Sequence, residues 1–182
     1  AQISMMGKIT GLTFAPVAAC ATFGVTLKLA MDAIHRGEAK AVVIGATDPP
    51  PLRLMVGAFH NARVGAADGS VSKPMTGLRG THAGGGAAIW IVGDLEYMRA
   101  KGFHPLGMEP LAVGVSSDAE HIITPSKTGP TTAILQALAI SGVAPQEIGS
   151  WDLHATATPG DFLEVENMRS VLHENVLVTA RK

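Results

Sequence analysis

The sequence holds a single cysteine, Cys20, so it can form no internal disulfide. That removes the strongest sign of secretion and leaves the thiol to be weighed as a reagent. Neither sign of charge is in excess: 14 Lys+Arg stand against 15 Asp+Glu, and no segment concentrates one sign. The basic footprint that phosphate-backbone binding needs is missing, so nucleic acid is not an expected partner. No apolar run reaches the roughly 20 residues that cross a bilayer, and the N-terminus has no charged-then-apolar signal pattern. The expectation is a soluble, cytoplasmic protein with no membrane partner. The seven histidines form no pair at metal-ligand spacing with Cys or carboxylates, so no metal is expected. Gly84-Gly85-Gly86 is not a phosphate loop, because no Gly-Lys-Ser/Thr follows it; close backbone packing accounts for it better. No internal repeat is visible.

What is present is a chain of 182 residues, 47% hydrophobic and 16% charged, enough to bury a sizeable core and within the usual size of one domain. Helical and strand patterns alternate, which predicts an α/β architecture with a mainly parallel sheet. Leu12 to Ala19 reads as a buried strand entering Cys20. Ala21 to His35 reads as a helix with Val25, Leu29 and Ala33 on one face and Gly37 as its stop. Ala41 to Ala46 is a strand-length apolar run, and Arg53 to Ala62 a helix. Residues 65–86 are glycine-rich with little periodicity and read as a long loop rather than a domain linker, and loops of that length tend to be functional.

Beyond the loop, Ala87 to Val92 predicts a strand and Asp94 to Lys101 a short helix ended by Gly102. Leu111 to Val115 is a further strand candidate, and Ser116 to Lys127 is turn-rich. Gly129-Pro130 opens the clearest helix, with Ile134, Leu135, Leu138 and Ala139 on one face and Gly142 past its end. Trp151 to Leu153 is a short strand leading to His154. The next helix begins near Asp161, where Glu164 makes an acidic capping box. Val176 to Val178 reads as a buried strand, and both termini read as cuts through a larger fold. Met5, Met6 and the other methionines read most simply as core filler.

Cys20 stands at the joint of a strand and a helix, where unsatisfied N–H groups and the positive end of the helix dipole favour a thiolate. A lone cysteine is also a common packing residue, and a single histidine among seven is more often structural than chemical. The neighbourhoods decide. Ala18-Ala19-Cys20-Ala21-Thr22 resembles the nucleophile segment of β-ketoacyl-acyl-carrier-protein synthases, and His35-Arg36-Gly37-Glu38-Ala39 follows in that family's register. Ser116-Ser117-Asp118-Ala119-Glu120-His121 resembles a second family segment, His154-Ala155-Thr156-Ala157-Thr158-Pro159-Gly160-Asp161 a third, and Val178 to Lys182 the start of a fourth.

The resemblance implies a thiolase-like layered αβαβα fold, of which residues 1–182 would be a partial domain from the middle of a duplicated architecture, incomplete at both ends. It implies that Cys20 takes an acyl chain as a thioester from an acyl-carrier protein, its own N–H forming half of an oxyanion hole. His154 would hydrogen-bond the malonyl thioester oxygen during decarboxylation, Thr156 and Thr158 would hold the phosphopantetheine arm, and Lys182 would support the histidines electrostatically. No cofactor is implied beyond the phosphopantetheine of the carrier protein, and a homodimer is expected. His121 is read as structural.

Departures are also visible. Phe23 stands where the family has Gly, adding bulk beside the acyl site and joining the substrate-contact candidates. Ala155 stands between His154 and Thr156 where the family has Gly, and one residue is missing between Pro159 and Asp161. Two rivals stay open: a thiolase or coenzyme-A-dependent condensing enzyme, and a non-catalytic partner subunit or chain-length-determining homologue, the latter disfavoured by the presence of Cys20.

Overall fold

The computed structural model describes residues 2–67, 69, 71–121 and 123–181. The chain divides into two compact units. The first runs through Thr47 and resumes over Ala87–Pro110; the second takes Asp48–Gly86 and the chain from Leu111 onward.

In the first unit, a short helix α1 (Gln2–Met6) is followed by an irregular segment and a single 3-10 turn, Ala19–Ala21. Helix α2 (Thr22–His35) then runs to Gly37, whose φ of 72° supplies the left-handed residue that ends a helix. The predicted α2 is there, but its face is rotated. Ala30 and Met31 are the buried residues, and Leu29 lies exposed. Strands β1 (Ala41–Asp48) and β2 (Gly86–Gly93) pair in a two-stranded sheet whose last and first residues reach into the second unit. The pair approaches closely at Gly45, where a Cβ would fall 2.7 Å from the carbonyl oxygen of Ala88 and nearer still to the Ile89 side chain. Helix α4 (Leu95–Ala100) starts at Asp94, whose carboxylate accepts the Tyr97 N–H at 2.8 Å, an ordinary side-chain N-cap.

Two expectations fail in this unit. Leu12 to Ala19 forms no strand: Leu12 and Val17 are 81% and 92% exposed, and Phe14 is exposed as well. Apolar, extended residues become a strand only when a neighbouring backbone takes up their N–H and C=O groups, and Pro16 brings no N–H at all. Met5 and Met6 are exposed on α1 and so fill no core within the described residues.

In the second unit, α3 (Arg53–Asn61) leads into the glycine-rich stretch, which carries only isolated bridges, Gly65 with Thr81 and Lys73 with Gly77, among its described residues. Gly85 is required by proximity, since a Cβ there would meet the Pro49 carbonyl oxygen at 2.9 Å. Helix α5 (Gly129–Ser141) begins Gly-Pro and ends at Gly142, whose φ is 70° and whose N–H returns to the Leu138 carbonyl at 2.9 Å. It packs on α6 (Gly160–Arg169), and β3 (Ser150–Asp152) pairs in parallel with β4 (Leu177–Thr179) in the register Ser150 to Leu177.

The core of this unit gathers Ile134, Met168, Leu172 and Val176, with Leu138, Trp151, Val165 and Val178 packed against it. Of the predicted α5 face, Ile134 and Leu138 meet the core, whereas Leu135 and Ala139 are exposed. Leu111 to Val115 is not a strand. Its backbone is taken up by a helix instead: Val115 N–H donates to the Gln136 side-chain oxygen at 2.7 Å, and Gly114 lies so close under the Ala133 carbonyl that no side chain fits. The acidic capping box also fails. Pro159 is the N-cap of α6, and the carboxylates of Asp161 and Glu164 turn back onto the preceding loop.

Candidate active site

The candidate residues fall into two groups, one in each unit. Cys20 is the central residue of the 3-10 turn, exposed, and one residue, Ala21, separates it from the fourteen residues of α2. The turn is strained, because Ala19 has φ of 46°, a left-handed conformation disfavoured for a residue with a Cβ. Ala21 N–H closes onto the Ala18 carbonyl at 2.9 Å. Thr22 ties the same turn through its hydroxyl, which accepts the Ala18 N–H at 3.0 Å and donates to the Ala19 carbonyl at 2.7 Å. In the sequence Thr22 stands out only as the last residue of the family-like segment Ala18 to Thr22. A hydroxyl two residues after a candidate nucleophile, at a helix start, was the signal available.

Phe23, three residues after Cys20, is half-buried and packs its ring against Trp90 of β2, with centroids 6.2 Å apart and planes tilted by 59°. That is a favourable tilted aromatic arrangement. It gives the added bulk at Phe23 a fixed place on β2.

In the second unit, the segment from Leu153 to Thr158 alternates. Leu153, Ala155 and Ala157 are buried, while His154 is exposed and Thr156 and Thr158 are half-buried. The three predicted polar residues therefore leave the segment on the side away from the core, and the hydroxyls of Thr156 and Thr158 lie 3.1 Å apart.

The backbone behind them is held by two carboxylates of α6. Glu164 accepts the N–H of His154 at 2.6 Å and of Ala155 at 3.0 Å. Asp161, buried, accepts those of Thr156 at 2.9 Å, Ala157 at 3.0 Å and Thr158 at 3.4 Å, and reaches Met75 N–H at 3.3 Å. Five successive amides are thus fixed by two side chains. The arrangement holds Ala155 at φ of 25° and Ala157 at 58°, where glycine would sit more easily. Sequence reasoning had Asp161 and Glu164 at the right helix but assigned them to its cap.

His121 ties its own loop: its Nδ1 accepts the N–H groups of Ile123 and Thr124 at 3.1 and 3.0 Å. His60, Asn61 and Arg63 at the end of α3 join Arg79 around a surface hollow of about 430 Å³, a polar feature that the sequence reading had not singled out. Lys182 lies outside the described residues. Among the described residues no helix is long and apolar enough to cross a membrane.

The fold is that of ketosynthases. A β-ketoacyl synthase from Burkholderia phymatum STM815 superimposes with a TM-score of 0.91 at 20% identity, over 98% of this chain and 45% of that one. A ketosynthase bound to the hexaketide in complex with a type II PKS acyl-carrier protein does so with a TM-score of 0.89 at 19% identity, over 98% of this chain and 47% of that one. The description "Beta-ketoacyl synthase, N-terminal domain" matches residues 1–96, and "Beta-ketoacyl synthase, C-terminal domain" matches residues 109–182. The chain belongs to the β-ketoacyl synthase family.

Among curated proteins it is 30% identical to Nodulation protein E of Rhizobium sp. (strain N33), over 93% of this chain and 42% of that protein. It is 28% identical to 3-oxoacyl-[acyl-carrier-protein] synthase 2 of Staphylococcus aureus, over 95% and 44% respectively. The chain therefore spans less than half the length of these relatives.

Proposed function

We propose that this chain carries the acyl-accepting part of a 3-oxoacyl-[acyl-carrier-protein] synthase acting in fatty-acid or polyketide synthesis. The observation that carries the reading is the exposed Cys20 on a strained turn at the start of α2, in a chain of this family. In the first half-reaction, Cys20 Sγ would attack the acyl thioester on the phosphopantetheine arm. A new thioester forms at Sγ, the old carbon–sulfur bond breaks, and the proton goes to the departing pantetheine thiol. In the second, malonyl-carrier protein would lose CO2, and the resulting enolate carbon would attack the Cys20 thioester, breaking its carbon–sulfur bond to give the β-ketoacyl product and return Cys20 as the thiolate, which takes a proton from solvent.

His154, exposed and with its backbone N–H donating to Glu164, is the donor for the malonyl thioester oxygen in this scheme. The paired hydroxyls of Thr156 and Thr158 are the contacts for the pantetheine arm. Lys182 keeps the electrostatic role that the resemblance implies. Phe23, backed by Trp90, would bound the acyl chain beside the thiol. The scheme uses no metal and no resident cofactor.

The hollow lined by His60, Arg63 and Arg79 offers two guanidiniums to an anion such as the phosphate of a carrier-protein arm. The acyl-carrier complex among the similar structures supports a carrier-protein partner. A homodimer in the cytoplasm is the expected state, and Ile89, Trp90 and Ile91, exposed in succession along β2, are apolar surface that a partner would cover. Light scattering behind size exclusion tests that part: a species of one chain mass would rule the dimer out.

A second reading has one observation in its favour, since a ketosynthase/chain length factor is among the similar structures, at 25% identity and a TM-score of 0.77. Intact mass separates the two. Incubation with an acyl-carrier-protein thioester should add one acyl increment that Cys20→Ala abolishes. An increment that persists in Cys20→Ala, or none with either protein, sinks the catalytic reading of Cys20.

A further inference from the structure

Thr22 makes three hydrogen bonds around Cys20. Its hydroxyl accepts the Ala18 N–H at 3.0 Å and donates to the Ala19 carbonyl at 2.7 Å, and its own backbone N–H reaches that same carbonyl. Cys20 sits inside this clasp, between the two alanines on one side and the first residue of α2 on the other. The turn needs holding. Ala19 at φ of 46° has neither the freedom of glycine nor the short polar side chain with which Asn or Asp stabilises that region, so the conformation is disfavoured. Ala21, the N-cap of α2, brings no capping side chain, so the helix start is not fixed in the usual way either. The Thr22 hydroxyl is directed backwards, onto the strained residues, rather than forwards onto the helix.

We infer that Thr22 is a positioning residue for the Cys20 thiol: its hydroxyl locks the left-handed turn and thereby fixes where Sγ stands at the N-terminus of α2. The inference rests on the reading of Cys20 as the acyl acceptor. Its test, however, reads the thiol itself and not acyl transfer. Because Cys20 is the single cysteine, alkylation by iodoacetamide followed by intact mass reports on this site alone. Rates would be measured against pH for the parent, Thr22→Ser, Thr22→Val and the pair Thr22→Val with Ala19→Gly, with far-UV circular dichroism as the folding control.

Thr22→Ser keeps the hydroxyl and should follow the parent. Thr22→Val keeps the shape and loses the hydroxyl. Its profile should move to higher pH, with the rate at neutral pH down about tenfold, as expected when a thiol leaves a helix N-terminus and its thiolate fraction falls. Ala19→Gly should restore the parent profile in the Thr22→Val background, because glycine adopts positive φ without the penalty. A folded Thr22→Val within twofold of the parent overturns the inference, and so does a folded pair that is not rescued. If neither Val variant folds, Thr22→Ser decides alone: a parent-like profile supports the hydroxyl's role, and a displaced one overturns it. Failure of acyl transfer with these profiles intact would count against the proposed function and leave the role of Thr22 standing.

Discussion

Replacing Asp161 by alanine should release the His154 to Thr158 segment. The carboxylate is 2% exposed and accepts four backbone N–H groups, those of Thr156 and Ala157 at 2.9 and 3.0 Å and those of Met75 and Thr158 at 3.3 and 3.4 Å. Hydrogen bonds to a charged group contribute about 1.5–3 kcal/mol each, so the two short ones alone set the expected loss at about 3–6 kcal/mol. The longer two add less, because their geometry is poorer.

Two consequences should appear together. The urea midpoint of the second unit should fall, and amide exchange at residues 156–158 should accelerate more than at Met168 in the core. Asp161→Asn keeps one accepting oxygen and replaces the other with an NH2 group, so its cost should be intermediate. A loss under about 1 kcal/mol, or a uniform rise in exchange across the unit, would refute the claim that this carboxylate holds the loop.

Gly114→Ala should destabilise the second unit by about 2–3 kcal/mol in urea unfolding, because the new methyl group falls against the Ala133 carbonyl and backbone must move. Met168→Ala removes a side chain with no exposure at the centre of the core and should cost about 2–5 kcal/mol in the same assay. The Glu38 carboxyl is held below its usual range by the hydrogen bond and charge of Arg36, whose own pKa is raised in return. Its contribution is therefore present above the unfolded-state carboxyl pKa and lost as pH falls through the lower, folded one. An NMR titration should show the Glu38 midpoint below that of a model peptide and returned towards it in Arg36→Ala; both side chains are exposed, so the effect should weaken with salt.

Helices α2 to α6 and the two longer strands were legible from local pattern because each is specified locally; α1 was not. Gly37, Gly102 and Gly142 stop helices with positive φ, and Asp94 caps α4 with its own carboxylate. The segment around Cys20 and the His-x-Thr-x-Thr segment were legible as motifs, and alternation along residues 153–158 is enough to place His154, Thr156 and Thr158 on one side. The rotated face of α2 and the exposed Leu135 of α5 were not, since a run of small apolar residues leaves several faces equally plausible until a neighbour chooses one.

By itself, then, the sequence determined the family segments, their order, and the elements whose start and stop signals lie within a few residues. Tertiary structure decided the rest. Whether Leu12 to Ala19 and Leu111 to Val115 become strands depends on whether another backbone stands alongside, and in the second case a helix side chain meets the amide instead. Asp161 and Glu164 could equally have capped their own helix; only the fold that lays residues 154–158 against the start of α6 brings five amides to their oxygens. A hydrogen bond is set by distance in space. Distance in sequence constrains it only over a turn or two.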